Sequence, residues 1–383
     1  MSAQTTGPRP AELEISVFGP GYGECILVHV GNGRWIAIDS CLSSATKGPR
    51  SLEYLAEIGV DPCGSVDLVV ATHWHDDHVA GLSALLAACK SATFCCPQAL
   101  TQREFTQLAE AYDGQTIGQA RSSKELYACL KEVDARGSNS SMPPLKFASA
   151  DKVVLRSTVV LPVGQIELRV STLSPSDEMG RRALQSMAEQ FAALGKGAPP
   201  DRTPSTSPNN VATVVRVDVG PRSLLFGSDL EEEKNGRLVG WSAVLAGTLS
   251  QERLSAVFKV AHHGSKTGHH DGMWNQMLTS NPLCLLTPFR YARHRIPSAE
   301  ERARILALTN RAFISSDPNR QSSVRARRLR KAEVLINASA RKRRLAVDQV
   351  GHIRWRASIE DPSDLGEIEL FDGALPLGDV ATS

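Results

Sequence analysis

Residues 73–78 read His73-Trp74-His75-Asp76-Asp77-His78, three imidazoles and two carboxylates in six positions. Neutral imidazole and carboxylate oxygen are ligands for Zn²⁺ and also suit Mn²⁺ or Fe. In an extended loop His73 and His75 project to the same side and can grip one cation. Asp77 and His78 follow about half a helical turn later, placed to face a second cation a few ångströms away. A merely solvated charged loop would need none of this spacing. The stretch follows Val66-Asp67-Leu68-Val69-Val70-Ala71, an apolar run that reads as a buried strand. Val79, Leu82, Leu85 and Leu86 then give helical apolar spacing. A ligand loop strung between a strand and a helix is held at both ends.

Two later stretches have the same form. Ser223-Leu224-Leu225-Phe226-Gly227-Ser228-Asp229 is a strand ending in a small-residue turn and a carboxylate. Val257-Phe258-Lys259-Val260-Ala261 runs into His262-His263-Gly264-Ser265. Asp229 also suits the N-cap of a helix starting at Glu231-Glu232-Glu233, a role compatible with metal binding. Near the start, Leu13 to Phe18, Ile26 to Val30 and Trp35 to Ser40 read as strands joined by glycine-bearing turns, the third reaching Asp39.

The His73–His78 stretch resembles the signature of the metallo-β-lactamase superfamily. The resemblance implies an α/β fold, the αββα sandwich of two mixed sheets flanked by helices, with a metal site along one edge. It implies that Asp39 orients the histidine loop from behind, as carboxylates do for ligating imidazoles. It makes Asp229 the ligand shared by two cations, and His263 a ligand of the second with Asp77 and His78. His262 is then left to touch a phosphoryl oxygen or protonate a leaving group; the opposite assignment of the two histidines stays open. Gly21-Tyr22-Gly23-Glu24-Cys25-Ile26-Leu27-Val28 resembles the G-x-G-D-S-I-L-I segment of the hydrolase domain in ComEC-type DNA-uptake proteins, with Glu24 for Asp and Cys25 for Ser. Lys259 to Ser265 is similar to the K-V-x-H-H-G-S element of those hydrolases. Arg290 and His294 lie where related sequences carry N-R-Y-x-H-P, and Ser265 and Lys266 are further candidates for substrate oxygens.

One departure stands out. No histidine lies between His78 and His262, so the first cation's set of His73 and His75 lacks a further imidazole. Asn209-Asn210 falls there instead, which implies a weakly held, exchangeable first metal completed by Asn210 or water, and makes Mn²⁺ credible beside Zn²⁺.

The chain has 383 residues and a net charge of +2, but the charge is uneven. Between Arg290 and Arg356 there are 18 Lys and Arg against 5 Asp and Glu. Such a segment offers a basic face to an anionic partner, or pairs with the acidic remainder of the same fold. The eight cysteines form no C-x-x-C pair and read as reduced, structural thiols. The first residues lack a secretory pattern and no apolar run spans a membrane, so a soluble, cytoplasmic protein is expected. The hydrolase domain is expected over 13–356, with a mobile loop near 195–208 and loose tails at 1–12 and 360–383.

Two cations sharing a carboxylate acidify a bound water, chemistry that serves β-lactams, thioesters, lactones or phosphodiesters alike. The His-His-Gly-Ser element, the exchangeable first metal and the basic third favour a phosphodiesterase, a nuclease acting on DNA or RNA, with Asp77 and His262 at its catalytic centre. The alternatives are a small-molecule hydrolase acting on a nucleotide, phosphocholine-like or acyl ester, and a partner-gated or structural metal-binding subunit. Aromatic residues are only 5%, which disfavours recognition of single strands by stacking.

Overall fold

Leu13, Ile15 and Val17 alternate with Glu14, Ser16 and Phe18, a pattern that gives one strand two different buried faces. The computed structural model describes residues 6–19, 23–98, 119–137, 144–162, 164–195, 208–233, 239–291, 294–319 and 350–381. In chain order its strands are β1 (Glu12–Gly19), β2 (Cys25–His29), β3 (Trp35–Ile38), β4 (Val66–Val70), β5 (Thr93–Pro97) and β6 (Leu145–Ala148). Then follow β7 (Lys152–Leu161), β8 (Gly164–Thr172), β9 (Val215–Val219), β10 (Arg222–Phe226), β11 (Ser255–Lys259) and β12 (Leu278–Leu286). The last are β13 (Phe289–Tyr291), β14 (His294–Ile296), β15 (Ala312–Ile314), β16 (Gly351–Ser358), β17 (Glu367–Phe371) and β18 (Leu375–Pro376).

Among the described residues these make two eight-stranded mixed sheets and one small hairpin, β13–β14. The first sheet runs β17-β16-β1-β2-β3-β4-β5-β6 and the second β18-β15-β12-β11-β10-β9-β8-β7. Leu13, Ile15 and Val17 enter the core between the sheets with Ile26, Val28, Leu168, Val217 and Leu285. Phe18 turns outward to Tyr54 and Leu55 of the helix Arg50–Glu57. On the far side, Trp241, Met273 and Ile305 cover the outer face of the second sheet through Phe258 and Leu286. The result is helix, sheet, sheet, helix, the αββα sandwich expected from the sequence.

The tail beyond residue 360 is not loose. β17 extends β16 as an antiparallel edge strand, and β18 pairs with β15. Backbone pairing is indifferent to side-chain charge, and Glu369 meets Arg354 at 2.6 Å. Most of the loop near 195–208 and eleven of the 18 basic residues, Arg293 and ten over 320–344, lie outside the described residues. All eight cysteines are free thiols. No helix among the described residues is long and apolar enough to cross a membrane.

Two buried histidines make this scaffold acid-sensitive. His29 Nδ1 donates to the Glu12 carbonyl at 2.7 Å, and Nε2 accepts from Gly33 N at 2.9 Å, so the neutral ring is fully used. Burial, aided by Arg356, pushes its pKa down to about 4. His352, stacked between Phe18 and Phe371, is also pushed well down by burial and by Arg50. A histidine depressed in the fold binds its proton first in the unfolded chain, so stability falls as pH drops from about 6.5 towards 4. For His29 alone the loss is on the order of 3 kcal/mol. Urea midpoints of wild type and His29→Gln at pH 7 and 4.5 should show a flatter acid loss in the variant. Parallel loss in both would remove His29 from the account.

Candidate metal centre

Parallel strands end side by side at one edge of the sandwich, and side chains placed just beyond such ends converge. β3 and β4 are parallel neighbours, as are β10, β11 and β12. Asp39 follows β3, His73–His78 follow β4, Asp229 follows β10 and His262–His263 follow β11. The chain leaves its strands sharply there. Asp39, Ser228, His262 and His263 all adopt left-handed φ, between 47° and 59°. Such backbone costs about 1–3 kcal/mol per residue and clusters at functional sites.

Two of the groups of ligand-type atoms gathered within 4.8 Å meet at one residue: Asp77, His78, Asp229 and His263, and His73, His75 and Asp229. Asp229 belongs to both. His78 Nε2 lies 3.5 Å from Asp229 Oδ1, and His263 Nε2 lies 3.4 Å from Asp229 Oδ2 and 3.6 Å from Asp77 Oδ2. Ligand atoms about 2.1 Å from a tetrahedral cation stand roughly 3.4 Å apart, so the spacing suits a cation among them. His78 Nε2, His263 Nε2 and Asp229 Oδ1 are buried with no hydrogen-bond partner. Three buried polar atoms left unpaired around one point are what a divalent cation would satisfy.

The electrostatics separate the two groups. Burial opposes a charge on His78, but Asp229, Asp39 and Asp77 outweigh it and raise its pKa well above the ordinary value. Against the same burial, Asp229 and Asp77 raise His263 to about 9. Asp229 resists burial through His263 and His78 and is held well below the usual carboxylate range. Burial, with His78 and His75 adding to it, pushes His73 well down, and burial likewise lowers His75. The four-residue group therefore demands positive charge, while the three-residue group offers neutral imidazoles.

Behind the ligands stands a layer of supporting contacts. Asp39 accepts from His78 Nδ1 at 2.7 Å and from the Thr72 hydroxyl and amide at 2.7 and 2.8 Å. Thr72 Oγ1 in turn touches His73 Nδ1 at 3.0 Å, so one carboxylate steadies both ends of the loop. His263 Nδ1 lies 3.1 Å from the carbonyl and hydroxyl of Thr287, just past β12. The Thr287 hydroxyl donates to Glu24, which pairs with Lys259 Nζ at 2.7 Å. Glu24 N also donates to the Asp77 carbonyl at 2.8 Å. Burial raises the Glu24 carboxyl, but Lys259, His78 and His263 more than offset this and hold it below its usual range. Arg304 closes the layer, donating to the carbonyls of Gly264 and Ser265 at 2.7 and 3.2 Å.

The remaining sequence candidates are spread around this centre. Asn210 donates to Glu233 at 3.1 Å, whereas its neighbour Asn209 lies 3.3 Å from His262 Nε2 and 2.6 Å from Glu231. Residues 230–233 form no helix, so Asp229 caps nothing there. Ser265 accepts from Thr267 N as the cap of the following short turn, and Lys266 is exposed, its amide held by Glu301. Arg290 and His294 sit on the β13–β14 hairpin, whose Phe289 ring lies 5.5 Å from that of His263. Glu24, Lys259, Thr287 and Asn209 were not singled out as site residues by the sequence. Lys259 and Glu24 did stand within the stretches flagged there.

Residues 18–112 match the family model described as the Metallo-beta-lactamase superfamily. Among solved structures, the metallo-beta-lactamase fold protein YhfI from Bacillus subtilis is 12% identical, covering 79% of this chain and 95% of its own, with a TM-score of 0.37. A metallo-beta-lactamase HARLDQ-motif mutant from Cronobacter sakazakii is 13% identical over 67% of this chain and 77% of its own, with a TM-score of 0.32. A putative metallo-beta-lactamase from Thermotoga maritima is 16% identical over 40% of this chain and 62% of its own, with a TM-score of 0.23. A comparison with the curated proteins finds no match. The matched segment carries Asp39 and the His73–His78 loop, and the chain has the αββα sandwich of the metallo-β-lactamase fold, with a cluster of His and Asp side chains suited to a divalent cation.

Proposed function

We propose that this protein is a metal-dependent phosphodiesterase, with nucleic acid as the favoured substrate class. The observation that carries the reading is the β13–β14 hairpin. It carries Arg290, His294 and Arg295 next to Phe289, whose ring lies 5.5 Å from that of His263. Cationic side chains beside a carboxylate-bound cation suit an anionic ester better than a neutral lactam or lactone. The resemblance of Lys259–Ser265 to the element of ComEC-type hydrolases points the same way.

Two divalent cations, Zn²⁺ or Mn²⁺, held by the two groups would supply an acidified water and neutralise phosphoryl charge. The chain's own residues do the rest. Asp39 and Thr287 fix which imidazole nitrogen of His78 and His263 faces the cations. Glu231 anchors the Asn209 amide so that its N–H faces His262 Nε2. Nδ1 of His262 then carries the proton, towards Thr267 Oγ1 at 2.9 Å. Held so, His262 accepts the Asn209 N–H at Nε2, and that lone pair can take a proton from a water or hydroxyl only when the contact with Asn209 opens. The first cation, with two imidazoles and a shared carboxylate, is the weaker of the two and the more readily exchanged.

The test is a substrate panel: plasmid, single-stranded DNA, RNA and bis-(p-nitrophenyl) phosphate, with Mn²⁺ or Zn²⁺, for wild type and Asp77→Ala. Asp77 touches only the second cation's group, and its loss should lower the rate by at least about 100-fold. Metal-dependent cutting that Asp77→Ala retains would sink the reading. Turnover of the synthetic ester alone would favour the second reading, a small-molecule esterase, which an apolar cavity beside Asp77 also supports.

A further inference from the structure

A cavity of about 400 Å³ opens on the first-sheet side of the metal centre. Asp77 belongs both to its wall and to the four-residue ligand group, so whatever fills it lies against the reaction centre. Cys41, Leu42, Val79 and Ala80 supply an apolar lining, and Leu42 remains 39% exposed there. Gly81 shapes the wall: with φ at +80°, a Cβ would stand 2.7 Å from the Leu42 side chain. Among the described residues its wall also carries Asp76, Asp77, Lys124 and Glu125, with Asp77 turned to the ligand group. Glu125 is fixed in place, accepting from Ser83 N and Oγ at 3.1 and 2.7 Å.

We propose that this cavity is a subsite for an uncharged aryl, alkyl or single-nucleoside substituent of the ester being cleaved. The inference rests on the phosphodiesterase reading for the bond broken at the centre. A pocket of this size holds a group up to that of a small drug-like ligand, and an apolar lining rewards removing such a group from water. The Asp76 and Glu125 carboxylates in its wall repel a second phosphate, so a polynucleotide does not continue through it. The anionic part of the substrate lies instead on the second-sheet side, under the hairpin. A nucleic acid would thus enter by its end, with a terminal nucleoside in the cavity, and a small diester would enter whole.

Two matched pairs of probes test this on the full-length, Mn²⁺-loaded protein. The first pair is phenyl and methyl p-nitrophenyl phosphate; water's oxygen forms a new bond to phosphorus, and p-nitrophenolate leaves with the bonding pair. The second pair is phenylphosphonate and methylphosphonate, measured by equilibrium binding without turnover. The phenyl member of each pair should be favoured by about tenfold or more, the usual range for a filled apolar pocket. Ala80→Phe fills the cavity at a backbone of φ −61° and ψ 114° that any residue adopts, and Leu42→Phe fills it from an exposed position. Each should bring the phenyl-to-methyl ratio close to one. Equal handling of both members by wild type, or a preference that both variants retain, overturns the subsite. If no diester is turned over but phenylphosphonate binds more tightly and both variants abolish this, the subsite stands and the phosphodiesterase reading falls.

Discussion

Asp229→Asn should remove both cations and all turnover while leaving the fold intact. The side chain belongs to both ligand groups, and its two oxygens are divided between His78 and His263. An amide keeps the shape but offers one neutral acceptor and no charge. Losing a residue that merely orients a ligand weakens metal binding by about 10–100-fold, so losing the shared ligand should exceed the upper figure at both positions. A stepwise titration of dialysed protein with Zn²⁺ or Mn²⁺ checks this. Wild type should show a tight and a weak step, His75→Ala only the tight one, and Asp229→Asn neither. Two wild-type steps in the Asn variant would mean that Asp229 is not shared.

The second large effect lies behind the ligands. Lys259 is 0% exposed and Glu24 1%, a fully buried ion pair between β11 and the loop before β2. Lys259→Met keeps the length of the side chain but leaves the buried Glu24 carboxylate without its lysine countercharge. Breaking a buried pair from one side costs about 3–5 kcal/mol. Because Glu24 also receives the Thr287 hydroxyl that contacts His263, the same variant should loosen the second cation. The double variant Glu24→Gln, Lys259→Met carries no stranded charge and should recover much of the stability, but not the metal affinity. Urea midpoints of the metal-free proteins, beside the titration above, separate the two effects. A cost under about 1 kcal/mol for Lys259→Met would show that water reaches Glu24.

The sequence exposed the parts of this centre that are local. Three histidines and two aspartates in six residues, and a histidine pair at a strand end, carry their meaning in spacing alone. Asp39 and Asp229 could be placed because each ends an apolar run. Glu24, Lys259 and Thr287 were harder, because their contact depends on which strands lie side by side. Strand order is a property of the whole sheet. Asn209 and Asn210 differ by one place in a short turn, and only the turn's geometry shows which of them reaches His262. The tail beyond 360 misled because its acidic composition suggested solvent, whereas an edge strand needs only backbone groups to pair and Arg354 to answer Glu369.

The seam between the two sheets has a mechanical side. Asp39 and His73–His78 hang from the first sheet, Asp229 and His263 from the second, and more than a hundred residues of chain lie between the two sets. A cation gripped from both sides works as a rivet through the laminate. It closes a very long loop in the chain, and the sheets cannot slide or part without shearing metal–ligand bonds. Loading the centre would then add to the apolar core that already joins the two halves, and the metal-free protein would be the form that rests on that core alone.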